Sequence, residues 1–281
     1  MVTKVIDEVS FELKEDFDFS FLSQYGSVFT VFDKQDSGNL CFGVKDGDRK
    51  LFLKIAGAST IKSRANKEEA IDRLISTITI YEDLQHPNLI QLIDHKSIHG
   101  GYLAIFEWFD GACMGRQYGS FDKFIALPIN EKLYIYTDIL VFHQHVHTCN
   151  YVAIDFYDGC IMYDFEKRRT MICDIEFYHK KPYFNPIGRM WGSSQHMSPE
   201  EFQLGSEIDE RSNVFLMGAT AFQLFGGGRD RTLEKWSAGK HLFNVASKAI
   251  NADRNLRYPS IDAYISDWKK SEAIGILSDR S

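Results

Sequence analysis

Two short stretches decide the fold: Tyr151-Val152-Ala153-Ile154-Asp155-Phe156-Tyr157-Asp158-Gly159-Cys160-Ile161-Met162-Tyr163-Asp164 and Ile172-Cys173-Asp174-Ile175-Glu176. Each sets acidic residues in an otherwise apolar frame. Asp155 and Asp174 lie nineteen residues apart. Between them, Ile161-Met162-Tyr163 and Met171-Ile172-Cys173 read as the two strands of a short hairpin. Either aspartate alone is explained as a loop cap, because its carboxylate accepts from nearby backbone N–H groups. The pair at this spacing, straight after a long helical pattern, calls for more than that.

Upstream, Asn130 to His147 has helical periodicity, with Leu133, Tyr136, Ile139, Leu140 and His143 recurring along it. Downstream, Tyr178 to Gly192 reads as loop. Asn213 to Phe225 reads as an apolar helix closed by Gly226-Gly227-Gly228, and the remainder is helical to about Trp268. The earlier part of the chain has a different character. Val28–Phe32, Leu40–Val44, Leu51–Ile55, Leu89–Ile93 and Tyr102–Phe106 read as strands, with Asp46-Gly47-Asp48 as a hairpin turn. Lys62 to Leu84 is the one helix among them, with Ile71, Leu74, Ile75, Ile78 and Tyr81 expected on its inner side. His86-Pro87-Asn88 stops it.

Composition bounds the class. The chain has 281 residues and a net charge of 32 − 39 = −7; 44% hydrophobic and 25% charged is ordinary globular usage. The length suits one large domain or two smaller ones. The acidic balance argues against a nucleic-acid binder, which carries a basic surplus. No apolar run approaches the ~20 residues of a membrane span, and the acidic, interrupted N-terminus does not read as a secretory signal. Five cysteines, an odd number without CxxC spacing, argue against a disulfide framework and make the cytoplasm the expected compartment. Aromatic residues reach 14%.

From about Phe29 to Trp268 the order and spacing of these segments resemble a eukaryotic-type protein Ser/Thr kinase, in a compact and divergent form. The resemblance implies an α+β fold with a small β-rich N-lobe (1–108) and a mostly helical C-lobe (109–281) flanking one cleft. The whole chain would be a single kinase-like domain.

Within it, Leu53-Lys54-Ile55 stands where kinases carry the lysine that meets ATP phosphates. The lysine needs an explanation in any case, because an ammonium in an apolar strand costs desolvation unless an anion meets it. Snorkelling from an edge strand is the alternative. Asp33 to Leu40, with Gly38 and Asn39, occupies the phosphate-loop position, though a plain β-turn also accounts for it. Glu68, with Ile71 and Ile75 at i+3 and i+7, is the candidate partner of Lys54; a solvated carboxylate favoured by the helix dipole is the other reading. Ile105 to Gly111 resembles the hinge, with Phe106 as gatekeeper and the backbone of Glu107 and Phe109 toward the adenine edge.

Asp155 takes the place of the catalytic aspartate that orients the acceptor hydroxyl, and Asp174 that of the Mg²⁺-binding aspartate. Three positions depart from the family. The asparagine that binds a second metal ion is Cys160, and a neutral thiol is a poor Mg²⁺ ligand. The arginine of the catalytic loop is Ile154, and the glycine after the metal aspartate is Glu176. Glu176 or Asp158 is the candidate replacement for the missing ligand; for Glu176 this assumes that 174–176 is extended, so that both side chains face one ion. Gly192 to Glu201 resembles the end of an activation segment, with Glu200 expected to pair with Arg257. Asn213 stands where an aspartate is usual, which implies a weaker cap on the catalytic loop.

Other signals have plain readings. His143, His145 and His147 alternate, but only His143 and His147 share a helix face, and His147 also fits a structural histidine of the family. Cys160 reads as an unreactive small residue. Phe106, Trp108, Phe109, Phe156, Tyr157, Phe177 and Tyr178 are expected to line the cleft. The implied function is phosphoryl transfer from ATP, with Mg²⁺ or Mn²⁺, to Ser/Thr hydroxyls of a protein substrate. A catalytically weak or inactive pseudokinase acting as a nucleotide-binding or scaffold module is the second reading. A kinase-like small-molecule phosphotransferase is the third, and the Ser193–Glu200 segment speaks against it.

Overall fold

The computed structural model describes residues 1–34, 37–63 and 66–278. The chain forms two compact units: Met1–Gln85 with Ile90–Asp110, and His86–Leu89 with Gly111 onward. Each is a separate packing problem.

The first unit is built on a five-stranded antiparallel sheet of β3 (Ser27–Phe32), β4 (Asn39–Asp46), β5 (Arg49–Ala56), β6 (Leu92–Ile98) and β7 (Gly101–Glu107), in the order β3-β4-β5-β7-β6. It is preceded by a hairpin of β1 (Val2–Ile6) and β2 (Val9–Leu13). Alternation along the strands makes two faces. Leu40, Phe42, Val44, Leu51, Leu53, Ile55, Leu103 and Ile105 form one of them. They pack against Phe11, Leu13, Phe17, Phe19 and Leu22 from the start of the chain. Phe11 meets Phe42 and Phe19 edge to face, with ring centroids 5.3 and 5.4 Å away. The Val28 N–H donates to Asp7 Oδ2 at 2.8 Å, fastening the hairpin turn to β3. This cover for the sheet is not evident in the sequence, where the first residues read only as short strands.

The opposite face carries Cys41, Gly43, Phe52, Lys54, Ala104 and Phe106, as the register requires. Helix α1 (Lys67–Asp83) packs there, with Tyr81 against Phe106 at 4.9 Å. A Cβ on Gly43 would come within 2.7 Å of both Phe29 and Trp108, so only glycine lets those rings close over the strand. The helix starts later than expected, because the Asn66 side chain accepts from the Glu68 N–H and caps it. Its buried residues are Ala70, Leu74, Thr77, Ile78, Ile80 and Tyr81, while Ile75, expected inside, is 42% exposed.

The second unit contains β8 (Ala112–Cys113), α2 (Phe121–Ile125), α3 (Ile129–Thr148), β9 (Tyr151–Val152), β10 (Ile161–Asp164), β11 (Arg169–Ile172), β12 (His179–Lys180), β13 (Tyr183–Phe184), β14 (Glu207–Ile208), α4 (Glu210–Phe225), α5 (Gly239–Ala249) and α6 (Ile261–Ser278). The hairpin expected around 161–173 forms as β10–β11, with Ile161 opposite Ile172. Helices α3, α4 and α6 share one core. Tyr136 donates to the Met217 carbonyl at 2.8 Å and accepts from the Tyr264 hydroxyl at 2.6 Å. Its ring packs 4.6 Å from Trp268. Gly218 permits α4 and α5 to touch, since a Cβ there would lie 2.8 Å from Ala249 and Ile250. No described helix is long and apolar enough to cross a membrane.

Candidate active site

In the second unit, the loop after α3 is held from below by α4. Asn213 Oδ1 accepts from the Ala153 N–H at 2.9 Å, and its Nδ2 donates to the Ala153 carbonyl at 2.8 Å. Asn213 is therefore not the weaker cap expected of it. The cap of α4 is Asp209, whose carboxylate accepts from Arg211 and Ser212, and the buried amide of Asn213 satisfies both backbone groups of Ala153 at once. Phe156 packs edge-on to His143 at 4.5 Å. Because the Ile139 carbonyl can only accept, His143 Nδ1 carries the proton; Nε2 accepts from Tyr178. Burial pushes the His143 pKa down to about 4, so the ring stays a neutral strut.

Asp155 and Asp174 both adopt left-handed backbone, φ 60° and 58°, two of six such non-glycine residues among those described. Aspartate tolerates this region better than most residues, yet backbone strain gathers at functional sites. Two of the turns converge on Cys160. Its thiol lies 3.6 Å from the Asp155 carbonyl oxygen and 3.8 Å from that of Asp174. Cys160 is fully buried, and burial, with the charges of Asp174, Cys173 and Asp155, raises its pKa well above the usual thiol value. A neutral thiol is a poor Mg²⁺ ligand, and Cys160 fills the space between the two turns. Asp174 remains as a hard oxygen donor. That fits Mg²⁺, which commonly takes one or two carboxylates and completes its shell with water and substrate phosphates.

The two candidate replacements differ in setting. Asp158 shares a 3-10 turn with Cys160 and is buried, which raises its pKa. For Glu176 the assumed geometry is absent. Asp174 is left-handed and the Tyr178 N–H closes a turn on the Ile175 carbonyl at 3.1 Å, so 174–176 does not alternate as a strand would. On the other flank, a Cβ on Gly192 (φ 130°) would sit 3.4 Å from Asp155 Oδ1.

Arg257 and Glu200 meet in a buried bidentate pair, Nη1–Oε1 2.6 Å and Nη2–Oε2 3.0 Å. Burial is the largest single influence and opposes the Glu200 charge, but the Arg257 hydrogen bond and charge, the Glu200 backbone N–H and the Ser212 hydroxyl together outweigh it and hold the carboxyl below its ordinary pKa. Next to it, Glu201 Oε2 accepts from the Ser198 N–H and hydroxyl, at 2.6 and 2.8 Å. Burial pushes the Glu201 pKa up to about 7, with Glu200 and Asp155 adding repulsion. Ser198 and Glu201 form a capping box at the start of the short 3-10 turn, a Ser-x-x-Glu signature that the sequence reading did not use; the proximity of Glu201 to Asp155 has no local sequence signal.

The first unit places Lys54 on β5, the central strand, between Cys41 on β4 and Ala104 on β7. Snorkelling from a sheet edge is therefore not its explanation. Glu68 needs correction. Glu68 and Ile75 share a helix face, as their spacing predicts, but that face is turned outward: both are exposed, and Leu74, Ile78 and Tyr81 pack inward. Glu68 lies in the first helical turn, where the dipole favours a carboxylate. The buried face of α1 carries no carboxylate. Gly38 (φ 87°) turns the chain into β4, which opens with the buried Asn39; Gln35 and Asp36 of the same loop lie outside the described residues. The Glu107 N–H donates to the Gln91 carbonyl at 3.0 Å, and Phe109 is buried.

The aromatic positions serve packing more than the sequence reading supposed. Phe106, Phe156 and Tyr178 are each buried in the core of their own unit. The three alternating histidines take separate partners. His147 bridges Lys181 and Glu210 at 2.7 and 2.8 Å, and His145 lies beside Cys149 and His86.

No family model matches the chain. Among curated proteins it is 24% identical over 220 residues, 72% of its length, to the dual specificity protein kinase zakA of Dictyostelium discoideum. It is 21% identical over 252 residues, 84% of its length, to mitogen-activated protein kinase kinase kinase 1 of Rattus norvegicus. To the dual specificity protein kinase zak2 of Dictyostelium discoideum it is 22% identical over 198 residues, 61% of its length. The chain spans 28%, 16% and 30% of these relatives respectively, less than a third of each. These likenesses support a kinase-like family. The mixed α+β architecture is compatible with a kinase-like fold.

Proposed function

We propose that the chain transfers the γ-phosphoryl group of ATP to Ser/Thr hydroxyls of a protein substrate. The observation that carries this reading is the convergence of Asp155 and Asp174, both left-handed, on the buried Cys160. Asp155 orients the acceptor hydroxyl and takes its proton as the oxygen attacks phosphorus and ADP departs. Asp174 holds Mg²⁺ or Mn²⁺, which when bound neutralises phosphate charge. Lys54 serves the nucleotide phosphates. Asn213 fixes the loop that carries Asp155, so positioning supplies most of the rate. Five free thiols suit a reducing, cytoplasmic setting.

A second reading, a pseudokinase that binds partners without turnover, is favoured by two observations: the neutral thiol at Cys160 and the lack of a carboxylate on the buried face of α1. The discriminating experiment is thermal denaturation with ATP, with and without Mg²⁺ or Mn²⁺, followed by radiolabel transfer to casein. Ligand binding to the folded state raises the melting temperature by linkage. A metal-dependent rise with transfer supports the kinase. The absence of both supports the scaffold.

A further inference from the structure

The second unit has a shallow, solvent-open hollow of about 250 Å³ lined by Ser194, Gln195, Arg229 and Arg231. None of these residues has a role in the chemistry assigned above. Ser194 and Gln195 come from the turn that the His196 N–H closes on the Ser193 carbonyl at 2.8 Å. The two arginines come from the loop after α4. Arg231 is held in place: its Nη2 donates to the Gln195 carbonyl at 2.5 Å, and its guanidinium lies 5.5 and 5.9 Å from the Phe215 and Phe222 ring centroids. Gln195 is itself anchored by its Nε2, which donates to Gln223 Oε1 at 3.2 Å. Arg229 is exposed. Asp230, between the two in sequence, spends Oδ1 on the Thr232 N–H and hydroxyl. Among the described residues, no carboxylate lies within ion-pair distance of either guanidinium.

Two guanidiniums sharing a concave surface without a carboxylate are matched to an anion, which their planar forks grip bidentately. The chain as a whole carries −7 and repels anions, so this is a local exception. Its place is also informative. Gly192 abuts the Asp155 carboxylate, and Ser194 follows two residues later, at most about 7 Å along the chain. An extended peptide advances about 3.4 Å per residue, so roughly three residues cover the distance from Asp155 to the hollow.

We propose that this hollow binds an anionic side chain of the peptide substrate, a carboxylate or a phosphorylated residue, about three positions from the acceptor hydroxyl. The placement beside the acceptor rests on the proposed function; the binding of the anionic peptide does not.

The test is fluorescence anisotropy with labelled short peptides of alanine and glycine. Each carries one serine and, three positions to either side, Asp, phosphoserine, Asn or Lys. No nucleotide is added. The Asp peptide should bind about tenfold more tightly than the Asn peptide, and the Lys peptide more weakly than either. An advantage confined to phosphoserine would assign the hollow to phosphorylated substrates. Because Arg229 is exposed, Arg229→Glu should retain the fold, checked by circular dichroism, and should remove the preference or turn it toward Lys. Equal affinity for Asp, phosphoserine and Asn peptides, or a preference that survives Arg229→Glu, would overturn the proposal. The peptide assay needs no turnover, so an intact preference alongside absent radiolabel transfer in the casein experiment would count against phosphotransfer and leave the hollow's assignment standing.

Discussion

Asn213 clasps Ala153 from both sides, accepting from its N–H and donating to its carbonyl at 2.9 and 2.8 Å. A single amide thereby joins the first turn of α4 to the loop that carries Asp155. An aspartate cannot reproduce this, because it has no donor for the carbonyl. Asn213→Asp should destabilise the fold by about 1–3 kcal/mol, the cost of an orphaned buried carbonyl facing a carboxylate. Urea denaturation checks it. Unchanged stability would mean that the clasp contributes nothing.

Arg257 and Glu200 form a different kind of tie, a charged pair with the arginine side chain wholly buried. Removing one partner strands the other. Arg257→Met should cost about 3–5 kcal/mol, while the double variant Arg257→Met, Glu200→Gln should cost less than the single one. A double variant worse than the single would contradict that account.

Glu201 ties stability to pH. Its pKa rises from 4.5 to about 7 on folding, so the folded state keeps a proton that the unfolded chain has already released in that window. Folding therefore weakens as pH rises from 4.5 to 7. Relative to wild type, Glu201→Gln should gain up to about 3 kcal/mol between pH 4.5 and 8, since each pKa unit is about 1.4 kcal/mol. His143 and His196, held neutral by burial with pKa values near 4 and 3, act in the opposite direction. They destabilise the fold as pH falls below 6.5, and both variants should share that acid limb. Parallel stability curves for wild type and Glu201→Gln would contradict the burial argument.

Cys160 separates spacer from ligand. If its neutral thiol only fills space between the Asp155 and Asp174 turns, Cys160→Ala should leave the metal-dependent part of any ATP-induced thermal shift unchanged. The melting temperature itself should fall slightly, because a small buried group is lost. Loss of the metal-dependent part alone would make the thiol a ligand.

What the sequence carried was order and period. The β10–β11 hairpin and the strands β4, β5 and β7 follow from alternation, while the Glu200–Arg257 juxtaposition is what the resemblance of Gly192–Glu201 to an activation-segment end implies. The phase of α1 did not, because its apolar residues spread over two overlapping faces, and packing on the sheet buried Leu74, Ile78 and Tyr81 while leaving Ile75 and Glu68 outside. The cover of the sheet by Phe11, Phe17 and Phe19 escaped as well, since contacts between distant segments leave no local period. The role of Asn213 was underestimated for the same reason: its partner is 60 residues away.

The central claim is that Asp155 serves phosphoryl transfer and not the fold. Wild type and Asp155→Asn should be compared for melting temperature, for the shift produced by ATP with Mg²⁺, and for radiolabel transfer to casein. The account predicts that the variant melts within a few degrees of wild type, keeps the ATP–Mg²⁺ shift, and loses transfer by about a hundredfold or more. Full transfer by a clean preparation of Asp155→Asn would contradict it.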